Sequence, residues 1–447
     1  MFDPDHLKDI NFEKYNRIAI AFSGGLDSSV LLQGLASIPE YKKKLCAIHV
    51  NHGISPNSES WLNHCEQACA SMGVNFVPLK INLEDNLKVS ENLLREARYE
   101  TILSWLEETD VLCTAHHQDD HIETVLFRIL RGTGIKGLSG IEKFSQIDGI
   151  DLIRPLISYS KKDLLDYANK LKVNWIEDES NEDLSISRNF IRRKVIPNLK
   201  NDNWPEYKKS ISYLSSKAKE ANEILDEIAY FDLKLCASES LDKLSILKIK
   251  ELSNARAMNV LFTWLSLNTH LGVSNKLTDQ VYKSIILASE SSNPVVTFGK
   301  RGEKGSFQIR RFNNFLHHLP LTETESLSDK KVWKWNFNKP LELPTGTLSM
   351  QVTLGKGIST LLTKSGISIK GRAGGERCKP EGRSKSQKLK KLFQEYGVPP
   401  WARDRIPLVY VGDQLAAVSD LWVCEEFVAK KDERGIVLSW TDSLDNQ

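Results

Sequence analysis

The sequence predicts an α/β protein: a parallel sheet covered by helices, followed by a mainly helical middle domain and a small α+β C-terminal domain. Three observations carry this. Short apolar runs alternate with helical stretches through the first part of the chain. After about Asn203 the pattern becomes helical with a small β tail. Beyond the polar segment LTETESLSDK (321–330), short strands and turns dominate, with one helix near Lys388 to Tyr396. The expected domains are residues 1–215, 216–325 and 326–447, a number that suits a 447-residue chain.

Taken in order, RIAIAF (17–22), LCAIHV (45–50), NFVPLKI (75–81) and VLCTAH (111–116) read as buried parallel strands. Helices are expected at Ser28 to Ser37, Ser58 to Ser71, Ser90 to Glu108 and Asp119 to Arg131. LIRPLI (152–157) and residues 160–171 add a strand and a helix. In the middle domain, Leu214, Ala218, Ala221, Leu225 and Ile228 are spaced for one helical face, and a second helix runs from Arg256 to Leu267. PVVTFG and FQIRRFNNFLHHL read as strands.

Composition excludes several classes. No apolar run approaches the length that spans a bilayer, and the acidic start MFDPDHLKDI is unlike a signal peptide, so a cytoplasmic protein is expected. Seven cysteines without C-x-x-C pairs fit reduced thiols better than a disulfide framework. A net charge of +2 means that any nucleic-acid affinity must be local.

The sharpest local signal is Ser23-Gly24-Gly25-Leu26-Asp27-Ser28, between the first strand and its helix. Two glycines and flanking serines allow a tight turn whose N–H groups, with the helix N-terminus, cradle an anion. The bland alternative is a glycine turn with an N-cap. Spacing and the lack of a following Lys exclude a Walker A loop. SGGLDS resembles the loop of the N-type ATP pyrophosphatases, which implies ATP, with Ser23, Gly24, Gly25, Leu26, Asp27 and Ser28 binding it and Asp27 working with Mg²⁺. The G-x-G-x-x-G string at 132–137 follows a helix rather than a strand, so it is expected to be a flexible loop near the active site and no dinucleotide fingerprint.

Ala115-His116-His117-Gln118-Asp119-Asp120-His121-Ile122-Glu123-Thr124 follows the fourth strand and should face the same crevice as the glycine loop. Such a cluster suits metal binding or general-base work, or it is a helix start stabilised by carboxylates. A metal phosphohydrolase is a rival reading, but no second ligand cluster is found.

With these motifs, RGTGIKGLSG, VNHG (50–53), ENLLREARYETI (91–102), IRPLI (153–157), Asp178-Glu179-Ser180-Asn181 and Arg188-Asn189-Phe190-Ile191-Arg192, the chain resembles the tRNA(Ile)-lysidine synthetases. Residues 371–410 resemble the C-terminal domain of that family's longer members. One departure is His121-Ile122, where the family pattern has Gln-Ala. The resemblance implies that the wobble cytidine of the CAU anticodon of an isoleucine tRNA is adenylated with ATP and then attacked by free lysine. Asp27 and Asp120 would bind Mg²⁺, Asp119 or His117 would take the proton, and Arg188 and Arg192 would contact phosphate or RNA. A thiolating tRNA enzyme with the same loop is the alternative, and a homodimer is left open.

From Lys370 to Arg405 eleven basic residues face four acidic ones, a net +7. A charge run is usually a solvated face. Here Leu389, Leu392, Phe393 and Tyr396 fall at one helical face, so Lys385, Lys388 and Lys391 are expected to project outward and contact RNA.

Overall fold

Strands buried on both faces need near-continuous apolar runs, and the first unit of the protein supplies them. In the computed structural model the sheet comprises β1 (Ile18–Ala21), β2 (Leu45–Asn51), β3 (Asn75–Lys80), β4 (Val111–Cys113), β5 (Phe144–Ile147) and β6 (Ile150–Ile153); β3, expected to be buried, lies at one edge and β5 at the other, and both are only partly covered. The structure describes the chain except residues 52–56, 82–90, 178–182, 201–203, 239–240, 270–271, 290–291, 293, 301–302, 304, 322–325, 328–330, 338 and 444–447. Most of the expected linker 321–330, His52 and Gly53 of VNHG, and the Asp178–Asn181 motif therefore lie outside the described residues.

The strand order is β3-β2-β1-β4-β6-β5. All pairs are parallel except β5 with β6, an antiparallel hairpin at the edge. Its turn is Asp148-Gly149, both at positive φ (48° and 82°), as a two-residue hairpin of this type requires. The sequence reading missed β5, whose half-exposed residues give no buried run, and it placed β6 two residues late. Pro155 cannot continue a ladder and helps to end the strand early.

Helices Leu26–Ala36, Ser58–Met72, Glu91–Trp105, Gln118–Arg131 and Lys161–Leu171 connect or follow the strands. Ile18, Ile20, Phe22, Leu31, Leu32 and Leu35 are almost wholly buried between them. The chain winds one way from β1 to β3 and the other way from β4 outward. The crevice at the carboxyl ends of β1 and β4 is thus the switch point where ligands bind in such sheets. SGGLDS follows β1, and HHQDD follows β4.

The GTGIKG segment is a correction. Residues Ile135–Leu138 form a helical turn rather than a flexible loop. Arg128 Nη1 donates to the carbonyls of Gly137 and Gly140, 3.0 Å each. His121 Nδ1 lies 3.1 Å from the backbone of Ile141, so the family departure at this position is absorbed by a local tie.

Helix Tyr207–Cys236 is one element of 30 residues. Of the face expected for it, Ala218 is buried while Leu214 and Ile228 stand exposed. Compact units run from Met1 to Leu225 and from Asp226 to Gln447. In the second, Trp264, Val260, Leu261 and Leu265 pack with Leu233 and Cys236 and with an antiparallel sheet of Lys243–Ser245, Phe315–Pro320, Phe307–Phe312 and Val295–Phe298. Asn313 and Asn314, at φ 47° and 61°, make the turn that splits FQIRRFNNFLHHL into two strands. A β-rich C-terminal region follows, with sheets of five and four strands around Leu389, Leu392 and Phe393.

The expectation of reduced thiols holds for five cysteines, which are free and buried. It fails for Cys378 and Cys424, which form a disulfide across 46 residues with Cα atoms 5.8 Å apart. Tertiary folding, with Glu425 N–H bonded to the Lys379 carbonyl at 2.8 Å, brings them together, and no spacing rule announces it.

Candidate functional site

The loop after β1 is built from its own polar atoms. Gly25 N–H lies 3.3 Å from Ser23 Oγ, and Ser28 Oγ donates to the Gly25 carbonyl at 3.1 Å. Ser23 Oγ and Ser28 Oγ are 3.1 Å apart. The Ile176 N–H holds the Gly24 carbonyl at 2.9 Å. Gly24 is at φ +80°, and a Cβ there would stand 2.8 Å from the buried Cys65 Sγ, so glycine is required twice over. Gly25 caps the helix Leu26–Ala36 without a side-chain bond, which leaves its first N–H groups for an anion.

Asp27, in the first turn, points its carboxylate at the second motif. Its Oδ2 is 3.5 Å from His117 Nε2, while its Oδ1 is buried with no hydrogen-bond partner. His117 caps the helix Gln118–Arg131 in a reciprocal box: its N–H donates to Asp120 Oδ2 at 3.0 Å, and its Nδ1 lies 3.4 Å from the Asp120 N–H. Its Nε2 is also 3.6 Å from Asp120 Oδ2. Burial alone would lower the His117 pKa, but Asp27, Asp120 and Asp119 outweigh it and raise the value. Burial likewise works to raise the pKa of Asp27, and His117 with nearby Lys161 and Arg192 brings it below the ordinary value.

His116 behaves oppositely. Its pKa falls to about 4, first through burial, and Arg154, Arg95 and Arg188 add to the fall against the pull of Asp120. Its Nδ1 lies 2.8 Å from Thr114 Oγ1. Two adjacent histidines are therefore shifted in opposite directions.

Asp119 is tied down. One oxygen accepts the Lys161 N–H at 2.8 Å, and the other pairs with Lys208 at 2.5 Å. Despite burial, which raises its pKa, these two partners lower it, so it is a weak base. Arg192 makes a two-point ion pair with buried Glu123, at 2.6 and 2.8 Å, and approaches Asp120 Oδ1 at 3.5 Å. Arg188 Nη2 donates to Thr124 Oγ1 at 3.3 Å. Both arginines thus bind the helix Gln118–Arg131 itself. Glu123 and Lys208 were missed by the sequence reading: Glu123 lies within a quoted motif, whereas nothing marks Lys208 among the lysines of its helix. Among the described residues no group of three or more His, Cys, Asp or Glu is arranged to hold a metal ion. Lys385, Lys388 and Lys391 are all exposed in the C-terminal region.

A profile of the PP-loop domain matches residues 4–199, and one of the TilS substrate C-terminal domain matches residues 367–440. A tRNA(Ile)-lysidine synthase of Coxiella burnetii is 37% identical, over 94% of this chain and 92% of its own. Another from Escherichia coli O157:H7 is 35% identical over 95% and 96%. This chain belongs to the tRNA(Ile)-lysidine synthase family. A solved U34-tRNA thiolase of Methanococcus maripaludis aligns with a TM-score of 0.41 at 21% identity, over 48% of this chain and 77% of its own. As a lysidine synthase the chain uses ATP and acts on tRNA. The thiolase alternative also lacks support in the thiols: Cys65 and Cys69 are buried, with pKa values pushed up to about 12. Among the described residues no helix is long and apolar enough to cross a membrane.

Proposed function

We propose that the cluster where the glycine loop meets the HHQDD turn adenylates the wobble cytidine of a CAU-anticodon isoleucine tRNA and then joins free lysine to it. One observation carries the assignment of roles: Asp27 Oδ1 is buried without a partner at the mouth of an anion cradle. A carboxylate oxygen left unbonded beside a phosphate site is costly unless a cation takes it up. Asp27 and Asp120 would hold Mg²⁺, with ATP phosphates supplying further oxygen ligands. When bound, the cation neutralises charge on the triphosphate and on the departing pyrophosphate.

Ser23, Gly24, Gly25, Leu26 and Ser28 hold the β and γ phosphates through backbone N–H and hydroxyl groups. The carbonyl oxygen of the base attacks the α-phosphorus, and pyrophosphate leaves. The lysine ε-amine, with an ordinary pKa of roughly 10.4, must lose a proton to attack the ring carbon. AMP then leaves with the former carbonyl oxygen. We assign proton transfer to His117, the titratable group at the centre of the cluster. Asp119 positions the turn through Lys161 and Lys208. Arg188 and Arg192 fix the catalytic helix and are within reach of phosphate or RNA only as far as those bonds allow.

Three domains, residues 1–215, 216–325 and 326–447, would divide these tasks, in the cytoplasm where tRNA, ATP and lysine meet. The reaction uses groups of one chain, so a homodimer is not required for it. Mass measurement of tRNA nucleosides after incubation with ATP, Mg²⁺ and lysine tests the reading. Lysidine is expected, and thiolated or unchanged cytidine would overturn it.

A further inference from the structure

A base that is to be adenylated must leave its stack, and the neighbours it leaves behind need new partners. Beside the carboxylate cluster the chain presents a surface of the right chemistry. The helical turn Ser187–Phe190 runs into the π-helical turn Ile191–Val195, a local widening that recurs at functional sites. Phe190 ends the first turn with 49% of its surface exposed, a large apolar ring facing solvent. One turn on, exposed Arg193 and Lys194 line a cavity of about 490 Å³ with Leu184, Pro197 and Arg192. Arg192 is shared: it forms part of this cavity wall and also binds Glu123 and Asp120.

An aromatic face, two outward cations and a cavity next to the reacting groups match unpaired nucleotides, in which every base offers a π-face and every linkage a phosphate. We propose that this face seats the anticodon loop: Phe190 stacks on a base flanking the reacting cytidine, and Arg193 and Lys194 hold its phosphates in the cavity. The inference rests on the tRNA-modifying reading above and adds where the loop is gripped. It also separates two RNA contacts, one here in the first unit and one on the C-terminal lysines.

The test uses the full protein and a short anticodon stem-loop RNA with 2-aminopurine beside the wobble position. The wild type should quench the fluorophore on binding. Phe190→Ala should lose the quenching and bind the stem-loop about tenfold more weakly, while Phe190→Tyr keeps both, as expected for loss and retention of one stacked base. Arg193→Glu with Lys194→Glu should flatten the salt dependence by about 0.7 in log–log slope per lost contact on a single strand. Circular dichroism and the KM for ATP should be unchanged in all three, since these side chains lie on the surface. If the wild type makes lysidine yet Phe190→Ala quenches and binds normally, this inference falls and the proposed function stands. If the wild type makes no lysidine, the proposed function itself falls. If Phe190→Ala converts a dimer to a monomer in sedimentation with RNA affinity intact, the face belongs to a second copy and the inference is overturned.

Discussion

Charge at the site is set by which partners each ionisable group can reach. His117 faces three carboxylates and has a raised pKa. Its contribution to stability is therefore full below about pH 6.5 and fades as pH rises through the folded value. His116 is held neutral with a pKa of about 4, so the unfolded chain takes up its proton first as pH falls. Its cost to stability grows as pH falls from about 6.5 to about 4 and persists below that, on the order of 2 kcal/mol at pH 5. His116→Gln should remove that term, so its urea midpoint at pH 5, relative to that at pH 7.5, should be higher than in the wild type. A midpoint change between pH 7.5 and 5 identical in sign and size to the wild type's would refute the neutral assignment. Asp27 has a lowered pKa, so its ion pair stabilises the protein above about pH 3.9 and is lost as pH falls through the folded value. Asp27→Asn removes one charge and almost no volume from a partly exposed position. It should abolish lysidine formation while leaving the circular dichroism spectrum intact. Near-normal turnover by a folded Asp27→Asn protein would exclude Asp27 from the metal site.

At the scale of elements, the strands and helices around the site were legible because buried strands advertise themselves as apolar runs and helices by their caps. SGGLDS could be placed between β1 and its helix, and HHQDD at the start of the helix after β4, from that alternation alone. The reach of Arg192 was not legible, because its partner Glu123 lies 69 residues earlier on another helix. That pair now defines a test. Glu123 is only 4% exposed, and removing one partner of a buried ion pair strands the other charge. Arg192→Ala should destabilise the protein by about 3 kcal/mol, and adding Glu123→Gln should restore part of that loss. Thermal denaturation of the two single variants and the double variant checks it, and additive losses would refute the coupling. The glycine loop offers a second test at this scale. Gly24→Ala imposes a side chain on left-handed backbone and drives its Cβ against Cys65. It should raise the KM for ATP and lower the melting temperature together, whereas Gly382→Ala, at φ +76° with nothing within 4 Å of its Cβ, should affect only stability.

The whole molecule turns on how much of its local charge reaches the surface. A count along the sequence overstates the C-terminal patch. Arg405 is 5% exposed and bonded to Asp442, Arg372 pairs with Asp404, and Arg403 donates from Nε and Nη2 to the Val398 carbonyl. Tyr396, expected as an anchor, is 45% exposed and rests on Trp422 with ring centroids 4.6 Å apart. What remains outward is a lysine surface on a helix anchored by Leu389, Leu392 and Phe393, each 1% exposed or less. Folding sorts the cations into those that hold the domain and those that face solvent, and only contacts distant in sequence decide which is which. Lys385 and Lys388 are exposed, and Lys391 has only a 3.7 Å contact with Glu395, exposed enough to be weak. Phosphate contacts set register on a nucleic acid and leave chemistry to the site. Replacing Lys385, Lys388 and Lys391 with Glu should therefore raise the KM for full-length tRNA well before it changes the KM for ATP. Each lost phosphate contact should flatten the salt dependence of binding by roughly 0.7 to 0.9 in log–log slope. The three apolar anchors are untouched, so the circular dichroism spectrum should match the wild type. Affinity and salt slope for tRNA unchanged in the triple variant would make these lysines a solvated face, and would leave recognition to the first unit alone.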